Sequence, residues 1–166
     1  DIKKLYEKLD TLSDGDILVL AGSIPDVMPG SMYMDIMKHL QNKDLKIVVD
    51  ATKDLLVNVL QYHPFLIKPN NHELGEIFGV KIENKADVIT YAKKMQEKGA
   101  RNVLVSMAGD GAVLVAEDGS IFQSEAPKGK VVNSVGAGDS MVAGFIAGYL
   151  EDGSYGKAFQ MGVCTG

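Results

Sequence analysis

The sequence holds one cysteine, Cys164, so no internal disulfide can form and a reducing, cytoplasmic setting is expected. It lacks any apolar run approaching the roughly 18 residues a membrane-spanning helix needs, and no secretory-signal pattern opens it. Positive charge is not in excess: the formal net charge is −5, which argues against nucleic acid or an anionic membrane as a partner. Zinc-protease spacing is missing, because no second histidine stands four residues after His72. His39 and His63 also lack metal-ligand spacing. No repeat, linker or low-complexity tract interrupts the chain.

What remains is an ordinary globular composition, 46% hydrophobic and 23% charged over 166 residues, enough for one domain with a real core. Strand-like and helix-like stretches alternate. Short apolar runs at 17–20, 46–50, 65–68, 101–106 and 112–116 read as strands, with a further strand at 121–123. Helical spacing is read at the first nine residues and over 31–40, 54–60, 73–78, 86–98 (capped by Gly99) and 155–165. This alternation predicts an α/β fold with a mainly parallel sheet. The polar residues Gly22-Ser23, Asp50, Asn70 with Glu73, Ser106 and Asp139 fall just after strands. In open α/β sheets ligands bind outside the carboxyl ends of the strands, so these loops are expected to converge on one rim.

The stretch around Gly136-Ala137-Gly138-Asp139 organises the rest. Glycines let main-chain N–H groups form a concave anion site, and the helix that follows turns its positive end toward it. Asp139 adds a carboxylate where a base can take a proton from an attacking hydroxyl. Neither a Gly-Lys-Ser/Thr ending nor a third glycine at Met141 is present, which excludes a Walker loop and a dinucleotide fingerprint. The same residues also describe a capped helix and no more. Lys68-Pro-Asn-Asn-His-Glu73 contains Asn-x-x-Glu, with Asn70 and Glu73 one helical turn apart; by spacing alone this reads as a capping box. Ser106-Met-Ala-Gly-Asp-Gly111 reads as a tight Gly-rich connection between strands. Lys68 could reach a phosphate, although a solvated strand-end lysine is the simpler reading.

Asn133-Ser-Val-Gly-Ala-Gly-Asp139 followed by Ala143-Gly-Phe-Ile146 resembles the C-terminal signature of the ribokinase-like (PfkB) sugar kinases. With Val135, Ser140 and Met141 it is most similar to the bacterial branch that phosphorylates fructose 1-phosphate to fructose 1,6-bisphosphate. The resemblance implies a ribokinase-like three-layer α/β/α sandwich, here a middle-to-C-terminal part of one kinase domain without the N-terminal sugar-binding strands and lid. It implies ATP and Mg²⁺ as cofactors and a sugar phosphate as partner, with a homodimer left open. Asp139 is then the base, and Gly136, Ala137 and Gly138 offer N–H groups to the transferring phosphoryl. Ser106, Met107, Ala108, Gly109, Asp110 and Gly111, with Gly138, Asn70 and Glu73, line the nucleotide, and Asn70 and Glu73 hold Mg²⁺ through water. Gly22-Ser23-Ile24-Pro25 resembles the family's loop beside the sugar phosphate. A tagatose-6-phosphate kinase and a non-catalytic nucleotide-binding fragment are the other expectations.

Overall fold

The computed structural model describes residues 2–21, 31–51, 53–107, 111–125 and 137–165. In chain order these form α1 (Ile2–Leu9), β1 (Ile17–Ala21), α2 (Met32–His39), β2 (Lys46–Asp50), α3 (Lys53–Val57), a 3-10 turn (Leu60–Tyr62), β3 (Leu66–Ile67), α4 (Asn71–Phe78), α5 (Lys85–Lys98), β4 (Asn102–Ser106), β5 (Ala112–Val115), β6 (Ile121–Ser124), α6 (Ala137–Asp152) and α7 (Tyr155–Thr165). The six strands form one sheet in sequence order. β1 to β4 run parallel, and β5 and β6 return antiparallel.

The connections explain the layers. Successive right-handed crossovers that step in one direction along a sheet leave their helices on the same face. Accordingly Ile47, Val49, Ile67, Val103, Val105, Val113 and Val115 pack with residues of α1 to α5. Their alternate neighbours Val48, Leu66, Leu104, Ala112 and Leu114 pack with α6 and α7 on the other face. Side chains of period two buried on both sides require apolar runs rather than alternation, which is what these strands show. The expected mainly parallel α/β sandwich is the observed architecture.

The differences from expectation are local. The helix expected over 54–60 divides into α3 and the 3-10 turn, because Val59 N–H and Tyr62 N–H bond three residues back, to Leu56 O and Val59 O. β3 is shorter than 65–68, since Pro69 cannot donate to the ladder. α4 begins at Asn71 rather than at Glu73. α6 and α7 approach closely at Gly148, where a Cβ would press on the main chain of Lys157 and Ala158. Among the described residues no helix is long and apolar enough to cross a membrane.

Candidate active site

Two motifs far apart in sequence meet at the carboxyl ends of β3 and β4. Ser106 N–H donates to Pro69 O at 3.2 Å, and Asn70 forms a parallel bridge with Ser106. Asn70 is extended, at φ −87 and ψ 173, and caps α4. Its Oδ1 accepts the Glu73 N–H at 2.7 Å, while its own N–H donates to Glu73 Oε1 at 3.1 Å. The capping box predicted from spacing is therefore real. It uses only half of the carboxylate: Glu73 Oε2 is buried and has no hydrogen-bond partner among the described residues. A buried, unsatisfied carboxylate oxygen is costly, so it needs an acceptor's complement such as a donated water proton. Mg²⁺ retains several waters and binds readily through them. Among the described residues no group of three or more His, Cys, Asp or Glu could hold a metal ion directly. The residues present thus fit a hydrated Mg²⁺ held by Asn70 and Glu73 from a distance, and not an all-protein cage.

Beyond Ser106 the chain turns back. Met107 N–H donates to Gly111 O at 2.9 Å, and Ser106 is paired with Ala112. Gly111 sits at φ +97 with no room for a side chain, since a Cβ there would overlap Ser124 O. Met107, expected among the nucleotide-lining residues, buries its side chain in the core at 4% exposure, which leaves its main chain to face a ligand. Ala108, Gly109 and Asp110, like Gly136 and the Gly22-Ser23-Ile24-Pro25 loop, lie outside the described residues.

α6 starts at Ala137, which puts Gly138 and Asp139 in its first turn. Its direction follows from its packing. Tyr149, in its last turns, meets Phe65 edge-on at 5.1 Å, and Phe65 stands just before β3. Val142 and Phe145 cover the middle of the sheet. The helix therefore runs opposite to β3 and β4. With 16 residues it is about 24 Å long, enough to carry its N-terminal turn back to the rim where Asn70 and Ser106 meet.

A second cluster joins Asp50, expected on this rim, to Lys68. Lys68 is not a solvated strand-end lysine: its side chain is only 10% exposed, and its Nζ lies 3.7 Å from Asp50 Oδ1, itself on a side chain 19% exposed. Tyr33 from α2 donates its hydroxyl to Ala21 O at 2.7 Å. Burial first, and then the Asp50 charge, raise the Tyr33 phenol above its ordinary value and keep it protonated. The place of Asp50 just after a strand was legible in the sequence, whereas its pairing with Lys68 depends on strand register, which a single chain does not reveal. Two defined hollows, of about 320 and 220 Å³, lie along α4 and between α2 and the 3-10 turn; neither includes Asn70, Glu73 or Ser106.

The chain is 45% identical over all 166 residues to a 1-phosphofructokinase of Bacillus subtilis, covering 54% of it. It is 34% identical over 145 residues to a D-tagatose-1-phosphate kinase of Bacillus licheniformis, covering 87% of this chain and 47% of the relative. Among solved structures, phosphofructokinase-2 from Escherichia coli in complex with fructose-6-phosphate superposes with a TM-score of 0.88 at 28% identity, over 97% of this chain and 53% of that one. The chain thus spans about half the length of the curated relatives it matches. A family profile matches from residue 1 to residue 166, and on that match the chain belongs to the pfkB family carbohydrate kinases.

Proposed function

We propose that this chain carries the nucleotide-binding and proton-accepting part of an ATP-dependent kinase that converts fructose 1-phosphate to fructose 1,6-bisphosphate. The observation that carries the reading is the meeting of Asn70 and Ser106 at the carboxyl ends of β3 and β4. The 45% identity to a 1-phosphofructokinase supports the choice of acceptor.

In this reading Asp139 accepts the proton of the sugar 6-hydroxyl. The hydroxyl oxygen forms a bond to the γ-phosphorus of ATP as the bond from that phosphorus to the β–γ bridging oxygen breaks, and ADP departs. Main-chain N–H groups of Gly136, Ala137 and Gly138, at the positive end of α6, meet the oxygens of the transferring group. Such reactions are accelerated chiefly by positioning and by fixed donors aimed at the charge of the transition state. Mg²⁺, when bound, neutralises phosphate charge, and Asn70 and Glu73 orient its waters. Ser106, with the main chain from Met107 to Gly111, lines the nucleotide. Because the net charge is −5, attraction for ATP has to be local rather than global.

A second reading takes D-tagatose 1-phosphate as acceptor, favoured by the 34% identical relative of that name. A coupled kinase assay with fructose 1-phosphate, tagatose 1-phosphate and tagatose 6-phosphate, run beside ATP titration calorimetry, tests both. The expected result is the highest kcat/KM on fructose 1-phosphate. A preference for tagatose 1-phosphate selects the second reading, and ATP binding without turnover of any sugar makes this a non-catalytic nucleotide-binding chain.

A further inference from the structure

Among the described residues, two buried side-chain polar atoms have no hydrogen-bond partner: Glu73 Oε2, beside Asn70, and Ser124 Oγ, at the end of β6. Both belong to the same end of the sheet. β5 is antiparallel to β4 and to β6, so β6 ends on the rim where β4 ends. The register sets Ser106 opposite Ala112 and Ala112 opposite Ser124, one row across three strands. Residues directly opposite across strands share a face. Ala112 is buried with Val142 and Phe145, and Phe122, two residues before Ser124, stacks on Phe159 at 5.9 Å. The Ser124 hydroxyl therefore lies on the side covered by α6 and α7. Ser106 stands two strand spacings away, about 10 Å, with only the methyl of Ala112 between them. Gly111, where the connection from Ser106 ends, lies against the same place, since a Cβ there would overlap Ser124 O.

A serine hydroxyl carries one donor and two acceptor lone pairs, and burying it without a partner costs stability. Serine also has no packing advantage in a strand that a β-branched residue lacks. A buried group left unpaired in the fold calls for a partner from outside it. Water can serve any single hydroxyl. What sets Ser124 apart is its row with Ser106, its contact with Gly111 and the second unpaired atom on the same rim. The row also gives a direction. Asn70 and Glu73 follow β3, whereas Ser124 ends β6, the outermost strand. A nucleotide whose transferring phosphate lies at the Asn70 end, and which extends along the rim toward β6, brings its ribose to Ser124. Ribose hydroxyls are neutral donors and acceptors that complement a serine hydroxyl.

We propose that the Ser124 hydroxyl binds a ribose hydroxyl of the nucleotide and makes the site selective for ribonucleoside over deoxyribonucleoside triphosphates. The proposal deepens the kinase reading and rests on it for ATP as the ligand. A site built to hydrogen-bond a substrate hydroxyl rejects the analogue lacking it, because the buried group of the site is then left unpaired. Ser124 thus costs the empty protein stability and returns it as discrimination when ATP is bound. Removing the hydroxyl stabilises the free chain while weakening ATP, the opposite of what loss of a structural hydrogen bond does.

The test titrates ATP, 2′-deoxy-ATP and 3′-deoxy-ATP into the full chain, as wild type and as Ser124→Ala, by calorimetry. Circular dichroism melts of both proteins without ligand accompany it. In the wild type, ATP is expected to bind about fivefold more tightly than one of the two deoxy analogues, the scale of one net hydrogen bond. The analogue that weakens identifies the hydroxyl. Ser124→Ala is expected to weaken ATP by the same factor and to leave that analogue unchanged, so that the preference disappears. Its ligand-free Tm is expected to equal or exceed that of the wild type, because a buried unpaired group has been removed. A Tm several degrees lower overturns the proposal by revealing a partner within the fold. Equal weakening of all three nucleotides, or of none, overturns it as well. A Ser124-dependent preference in a chain that transfers no phosphoryl group removes the kinase reading and leaves this one standing; failure of the wild type to bind ATP removes both.

Discussion

Replacing Asn102 with alanine should destabilise the chain by about 2–4 kcal/mol, although the residue touches no ligand. Asn102 is 0% exposed and is the buried polar residue of the described core. Its Nδ2 donates to Phe65 O at 2.8 Å, and its Oδ1 accepts the Glu117 N–H at 2.9 Å. It thereby ties the start of β3 to the turn after β5, and so fixes the strands whose far ends bring Asn70 to Ser106. Truncation leaves the Glu117 N–H without that acceptor, a loss of about 1–3 kcal/mol, and forfeits a net bond of about 1 kcal/mol to Phe65 O. The second penalty stays small because Phe65 O retains the main-chain N–H of Asn102 at 3.1 Å. For a domain of this size the expected fall in Tm is roughly 5–15 °C. Urea denaturation at constant m-value measures the free energy directly. Asn102→Asp supplies the control. It keeps the acceptor but presents a second acceptor to Phe65 O, and burial raises its carboxyl pKa above the unfolded value near 3.9. Its stability relative to wild type should then be best below about pH 4 and fall as pH rises through the raised folded value. An alanine variant within about 1 kcal/mol of wild type, or an aspartate variant insensitive to pH, would refute this account of the polar core.

Asp139→Asn, assayed in the full chain, should leave ATP binding nearly intact and lower turnover about 10²-fold or more, as expected for loss of a general base; turnover equal to wild type would remove Asp139 from the mechanism. Gly111→Ala should be poorly tolerated, because φ +97 disfavours a side chain and the new Cβ meets Ser124 O. A cost of at least about 1 kcal/mol in urea denaturation is expected, and an unchanged midpoint would show that the turn relaxes. Glu117 accepts both arms of Arg101 at 2.9 Å and the Tyr155 hydroxyl at 2.8 Å. The bond to Arg101, foremost, lowers its carboxyl below the ordinary 4.5. Its contribution to stability is therefore complete above that value and is lost as acidification passes through the lowered folded pKa. Glu117→Gln should remove part of the acid dependence of Tm between pH 5 and pH 3, which thermal melts across that interval would reveal.

Much of this molecule was legible in its residues because the relevant physics is local. Apolar runs without alternation announced strands covered on both faces, and helical spacing with Asn70 and Gly99 at the ends matched the start of α4 and the end of α5. The Asn-x-x-Glu spacing alone determined the capping box, because Asn70 and Glu73 need only one helical turn to find each other. Other features depended on distance along the chain. Whether Asn70 would meet Ser106 depended on β3 lying next to β4, and register is set by packing across the sheet rather than by either segment. The burial of the Met107 side chain followed from which face of the sheet its strand end turned toward, which the local sequence does not state. Lys68 looks like a solvated lysine in any linear reading. Only the assembled sheet, by setting β2 beside β3, encloses its stem and brings Asp50 within 3.7 Å. Local spacing determined caps, turns and element types, whose energies are settled within a few residues. The tertiary structure decided which charged side chains become neighbours, because that depends on strands from across the chain lying side by side.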